Sequence, residues 1–203
     1  MRQALVTGLT IVVLATTVAR GWSCGFEDPN SATMQRVMLN VVYPDSLYVQ
    51  GAVDTALRAG KLKPAHFAKP GDFFALPRTT RNLRHLAVVL ADGTPNELRA
   101  FSVVLMGPVL WTRFQPDKAG LAAEPHVAGP AAGEVVVVTD VPALAALVSG
   151  EISGAYAHAL GLVRYYGDPA EAEGIREAFL AAFPGDQSAG ESRPKRTTLT
   201  ERK

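Results

Sequence analysis

A single cysteine, Cys24, rules out any internal disulfide in this 203-residue chain. The chemistry-bearing side chains are sparse as well. The four histidines, His66, His85, His126 and His158, share no ligand spacing, and no HExxH, CxxC, GxSxG or P-loop signature occurs. Glu27 and Asp28 are adjacent carboxylates, and neighbours on an extended chain face opposite ways, so they do not converge on a metal or a proton. A net charge of +1, without a clustered basic face, gives no electrostatic footprint for nucleic acid. These absences predict a protein that is not an enzyme, with no metal or cofactor and no nucleic-acid partner.

One uncharged apolar run, residues 4–19, follows the short positive start Met1-Arg2-Gln3. Threonines and a glycine dilute it, and it falls short of the ~20 apolar residues of a membrane span. A charged start, a short apolar stretch and small residues are the parts of an export signal, against the alternatives of an uncleaved anchor or a buried helix. Small residues at −3 and −1 allow cleavage after Ala19 or after Ser23, and both leave Cys24 in the mature chain. Cys24 resembles the acylated cysteine of bacterial lipoproteins. Ser23 suits the position before it, while Trp22 and Gly21 depart from the usual pattern. The alternative is a partly buried thiol acting as a small hydrophobe. The expected location is the periplasm, with membrane contact only through acylated Cys24 or an uncleaved signal.

A hydrophobic content of 48% and a charged content of 19% over the whole chain describe an ordinary globular protein, and the roughly 180 residues beyond the signal (residues 1–23) fit one domain. Residues 24–97 read as a helical region. Ser31 caps a helix running to Asn40, and Pro44-Asp45-Ser46 opens a second that Gly60 stops. Residues 61–77 carry four of the prolines and glycines and read as an irregular connection with Phe67, Phe73 and Phe74 as aromatic anchors. Residues 82–91 form a short element of open type, its leucines favouring a helix. Residues 184–203, with Leu199 as the only large apolar side chain, predict a disordered tail.

Residues 98–183 carry the sheet. Residues 101–114 hold two strand-like runs around Gly107-Pro108, which must form a turn or a bulge because proline cannot donate to a ladder. Residues 121–127 suggest another strand, and the valine run of residues 134–139, bounded by breakers, reads as a buried central one. Asp140 then caps a helix ended by Gly150. Ser153 caps a second that Gly161 stops, residues 162–166 give a last strand, and Asp168-Pro169 starts a final helix. The predicted class is α/β (α+β): a curved, mainly antiparallel sheet with helices packed on one face, preceded by the helical N-terminal segment.

The order of valine strand, helix, Gly150-Glu151-Ile152, small-residue helix, Gly161, strand and Gly167-Asp168 resembles the C-terminal half of sterol carrier protein type-2 domains. The matching positions include Val135, Val138, Leu144, Leu147, Ala155, Ala157, Leu162 and Val163, and the likeness spans roughly residues 98–183. It implies an apolar cavity between sheet and helices that holds a lipid, acyl chain or quinone-like molecule without chemistry of its own. Candidate ligand contacts are Val103, Leu105, Trp111, Val136, Val138, Leu144, Leu147, Leu160, Phe179 and Phe183, with Tyr156 and His158 toward a polar head. Each of the ten serves equally well as plain core. Two functions follow as expectations: an exported, non-enzymatic binder of a hydrophobic ligand, or an accessory subunit whose apolar face and helical front bind a protein partner.

Overall fold

The computed structural model describes residues 29–65, 72–93, 98–118 and 120–185. The expected export signal, Cys24, Glu27-Asp28, His66, Phe67 and the tail beyond residue 185 lie outside them. Among the described residues, six helices and five strands follow in the order α1 (Pro29–Val42), α2 (Ser46–Arg58), α3 (Ala75–Gly93), β1 (Phe101–Leu105), β2 (Leu110–Asp117), β3 (Gly120–Pro125), β4 (Val135–Thr139), α4 (Val141–Val148), α5 (Gly154–Ala159), β5 (Arg164–Tyr166) and α6 (Pro169–Ala182). The strands make one open sheet in the order β3-β2-β1-β4-β5, in which only the central pair β1 and β4 is parallel. The fold is α+β with a helical segment ahead of the sheet, as the sequence predicts.

Local chemistry explains most boundaries. The Asp140 side chain accepts from the N–H of Val141, Ser153 from Tyr156, and Asp168 from Ala170 and Glu171, so α4, α5 and α6 each begin on a side-chain cap. Gly150 and Gly161 stop α4 and α5 at φ 72° and 70°, backbone angles that cost a Cβ-bearing residue dearly. The open-type element of residues 82–91 is the C-terminal part of α3, a helix of 19 residues that begins at Ala75. This overturns part of the irregular connection. Phe73 and Phe74, expected as anchors, are 87% and 74% exposed just ahead of the helix.

The register decides which way each strand residue points, because paired residues on neighbouring strands share a face. Ser102, Val104, Trp111, Arg113, Val136, Val138, Arg164 and Tyr166 lie on one face. There Tyr43, which follows α1, packs its ring on Trp111 and Tyr166, and Arg164 sits over the Tyr48 ring of α2. Phe101, Val103, Leu105, Phe114, Val135, Val137 and Tyr165 lie on the other. Tyr165 there meets His158 of α5 and Phe179 of α6, and α3 packs on α4, α6 and β3. Helices α3–α6 therefore form the expected layer, while the N-terminal pair α1–α2 forms a second layer on the opposite face. Every residue of β1 and β4 is buried, and one continuous apolar core runs from Ala32 to Phe183.

Candidate functional site: the outer face of α1

Helix α1 carries two stripes of opposite fate. Ala32, Arg36 and Leu39, with Tyr43 one step further, recur at helical spacing and face the sheet. Ala32 and Leu39 are buried, and Arg36 Nη1 donates to the carbonyl of Gly107 at 2.6 Å. Asn40 Oδ1 accepts from the N–H of Leu47 at 3.1 Å, and the Tyr166 hydroxyl donates to the carbonyl of Pro44 at 2.7 Å, which ties both ends of the α1–α2 connection down. The helix is thus held in one orientation.

On its opposite side stand Met34, Val37, Met38, Val41 and Val42, spaced i, i+3, i+4, i+7 and i+8 and 50–73% exposed. Leu47 and Tyr48 of α2 are exposed as well. No ionisable side chain belongs to that stripe; the sole charge of α1 is Arg36, turned to the sheet. A helix apolar on both sides is normally buried on both. A contiguous exposed apolar stripe of this kind is a candidate interaction surface.

Beneath α1 lies the second unusual feature. The turn of residues 106–109 between β1 and β2 is buried throughout, and Val109 adopts φ 50°, a conformation costly for a β-branched residue. Asp140, at the end of β4, accepts from the N–H of Gly107 at 3.0 Å and of Val141 at 2.7 Å. Burial pushes its carboxyl up to about 6, against the lowering pull of the two backbone donors and of Arg36. The turn is therefore held from two sides, by Asp140 along the sheet and by Arg36 from α1, and this cluster fixes the position of α1 on the sheet.

The ten candidate ligand contacts separate by face. Val103, Leu105, Leu144, Leu147, Phe179 and Phe183 belong to the core beneath α3–α6, and Trp111, Val136 and Val138 to the core beneath α1–α2. The sheet stands between the two groups, so one cavity does not gather them. Leu160 opens on a shallow groove beside α2, lined also by Tyr48, Ala52 and Lys61. Tyr156 is exposed, and His158 borders a surface depression with Tyr165 and Arg164. Burial, with repulsion from Arg176, lowers the His158 pKa. Among the described residues no three His, Cys, Asp or Glu side chains come together as a metal site, and no helix is long and apolar enough to cross a membrane.

A larger open groove of about 710 Å³ lies between α6 and the starts of β1 and β4. Leu98, Val135, Ile175 and Ala178 form its apolar wall, and Gly174, with open space where a Cβ would stand, lines it mid-helix. Arg99 and Glu171 form an ion pair at its edge. None of the ten candidates lines it. Sequence reasoning passed over this groove, and although it named the helical front as a contact surface it singled out none of the residues on the outer face of α1. The apolar spacing of α1 was there to read, but spacing alone does not say which stripe faces the core. No family model matches this sequence, and none of the curated proteins is a match to it.

Proposed function

We propose that this chain is a non-enzymatic, exported docking protein that attaches to an apolar surface of the cell envelope through the outer face of α1. The observation that carries this reading is the stripe of five large apolar side chains left outside while the opposite stripe is bolted to the sheet. Burying such side chains contributes about 1.5–3 kcal/mol each, enough in sum to offset the cost of association. A photo-activated cross-linker at position 38 or 41, in the protein within its native envelope, tests it. Adducts at both positions, with none from Val88 (56% exposed on α3), are expected. Equal yields at all three would remove the reading.

A second reading, a carrier of a hydrophobic small molecule, draws on the groove beside α6, whose volume lies in the ligand-binding range. It also draws on the resemblance to sterol carrier domains. Gly174→Leu should fill that groove without strain, since its Cβ meets open space and leucine favours a helix. Native mass spectrometry of envelope-purified protein should then release a lipid-sized molecule from the wild type and not from the variant. Equal release from both would move the ligand elsewhere.

A further inference from the structure

We infer that the surface covered by the outer face of α1 is that of a lipid bilayer, an inference that rests on the docking reading above. The sequence immediately upstream supplies the first argument. Residues 4–19 are uncharged and apolar, and Arg20, Trp22 and Phe26 follow, residue types suited to the boundary between lipid and water. Only nine residues, 20–28, separate that run from the start of α1. Fully extended, they reach about 30 Å. Where that run is retained as an uncleaved anchor it keeps α1 within this reach of the bilayer, and where it is cleaved an acyl chain on Cys24, which only four residues separate from α1, does the same.

The second argument is the chemistry of the face. Met34, Val37, Met38, Val41 and Val42 present flexible or branched aliphatic groups and no charge. Such a surface lacks the Trp, Tyr and Arg side chains that dominate protein–protein hot spots. Its polar neighbours Thr33, Gln35 and Asn40 flank the stripe at the level where headgroups would lie. The third argument is area. A helix of 14 residues is about 21 Å long, and pairing it with the α1 of a second copy buries well under the ~800 Å² per partner of a stable interface. A bilayer sets no such limit.

The test places an environment-sensitive fluorophore at Met38→Cys, Val41→Cys or Val88→Cys, each in a Cys24→Ser background. The full chain is reconstituted in phosphatidylcholine vesicles. Positions 38 and 41 should be quenched several-fold more strongly by spin-labelled lipid than position 88. They should be shielded from aqueous iodide, with no change in 1 M salt because the face is uncharged. Positions 38 and 41 shielded from iodide yet untouched by lipid quencher would overturn the bilayer and leave docking standing, with a second copy as the occupant. Iodide access equal to that of position 88 would overturn both.

Discussion

Asp140 shows what one carboxyl costs when the fold needs its geometry more than its charge. It caps α4 and holds the Gly107 turn, yet burial raises its pKa from the ordinary 3.8 to about 6. A carboxyl that binds its proton more tightly folded than unfolded contributes stability below about pH 4 and loses it as pH rises through 6. At 1.36 kcal/mol per pKa unit, the ionised group costs up to ~3 kcal/mol at neutral pH. Asp140→Asn keeps a capping oxygen without the charge. The stability gap between variant and wild type, followed by urea denaturation, should therefore open in favour of the variant between pH 4 and 6 and stay constant above. A gap independent of pH would mean that the Asp140 carboxyl binds its proton equally tightly folded and unfolded. Thr112 is a second misfit, its hydroxyl buried among strand side chains without a partner among the described residues. Thr112→Val should raise stability by about 1 kcal/mol, read as a shift in urea midpoint at unchanged slope.

Between elements, close approach sets the tolerance. Helix α5 is only six residues long and lies so near α6 that a Cβ on Gly154 would stand 2.5 Å from the Phe179 carbonyl oxygen. The Gly154 N–H also donates to the Phe183 carbonyl at 2.8 Å. That neighbour is backbone and has no rotamer to yield, so Gly154→Ala should force the two helices apart and cost about 1–3 kcal/mol. A melting temperature unchanged from wild type would show that α5 shifts freely. On the other face, Glu134 joins the turn before β4 to the sheet. It accepts from Ser102 Oγ and the Ala131 N–H, both at 2.8 Å, and pairs with Arg113 at 3.0 Å. Its side chain is largely buried, so Glu134→Ala leaves the Ser102 hydroxyl and the Arg113 guanidinium without their partner, and a loss of about 3 kcal/mol in chemical denaturation is expected.

At the scale of the molecule, the sheet is a wall between two helical layers, and the thinner layer carries the proposed function. Helices α1 and α2 lie on the sheet face that carries Trp111, Val104, Val136 and Val138. A chain beginning at residue 60 should therefore bind a hydrophobic dye and aggregate, while a full chain with Met38→Glu and Val41→Glu should stay monodisperse with wild-type melting. The contrast follows because those two side chains are 55% and 73% exposed and take no part in the core. Loss of folding in the double variant would instead place the outer stripe inside the structure.

The caps of α4, α5 and α6 and the stops of α4 and α5 were legible in the sequence because they act over three or four residues, whereas Ser31, expected as the cap of α1, lies inside that helix. Asp140, Ser153 and Asp168 accept from nearby N–H groups, and Gly150 and Gly161 take left-handed angles, whatever surrounds them. The buried valine strand was legible for the same reason, as a β-branched run between breakers. Facing was not. Val103 and Leu105 share one alternating pattern with Val136 and Val138, and only the pairing register puts the two pairs on opposite sides of the sheet. In α1 the stripe of methionines and valines is the richer in large apolar side chains. The structure turns in the poorer one, Ala32, Arg36 and Leu39, because Arg36 meets a carbonyl 71 residues away and Tyr43 meets Trp111. Local propensity determined the elements and their ends; contacts distant along the chain decided which surfaces they bury and which apolar face is left for something else to cover.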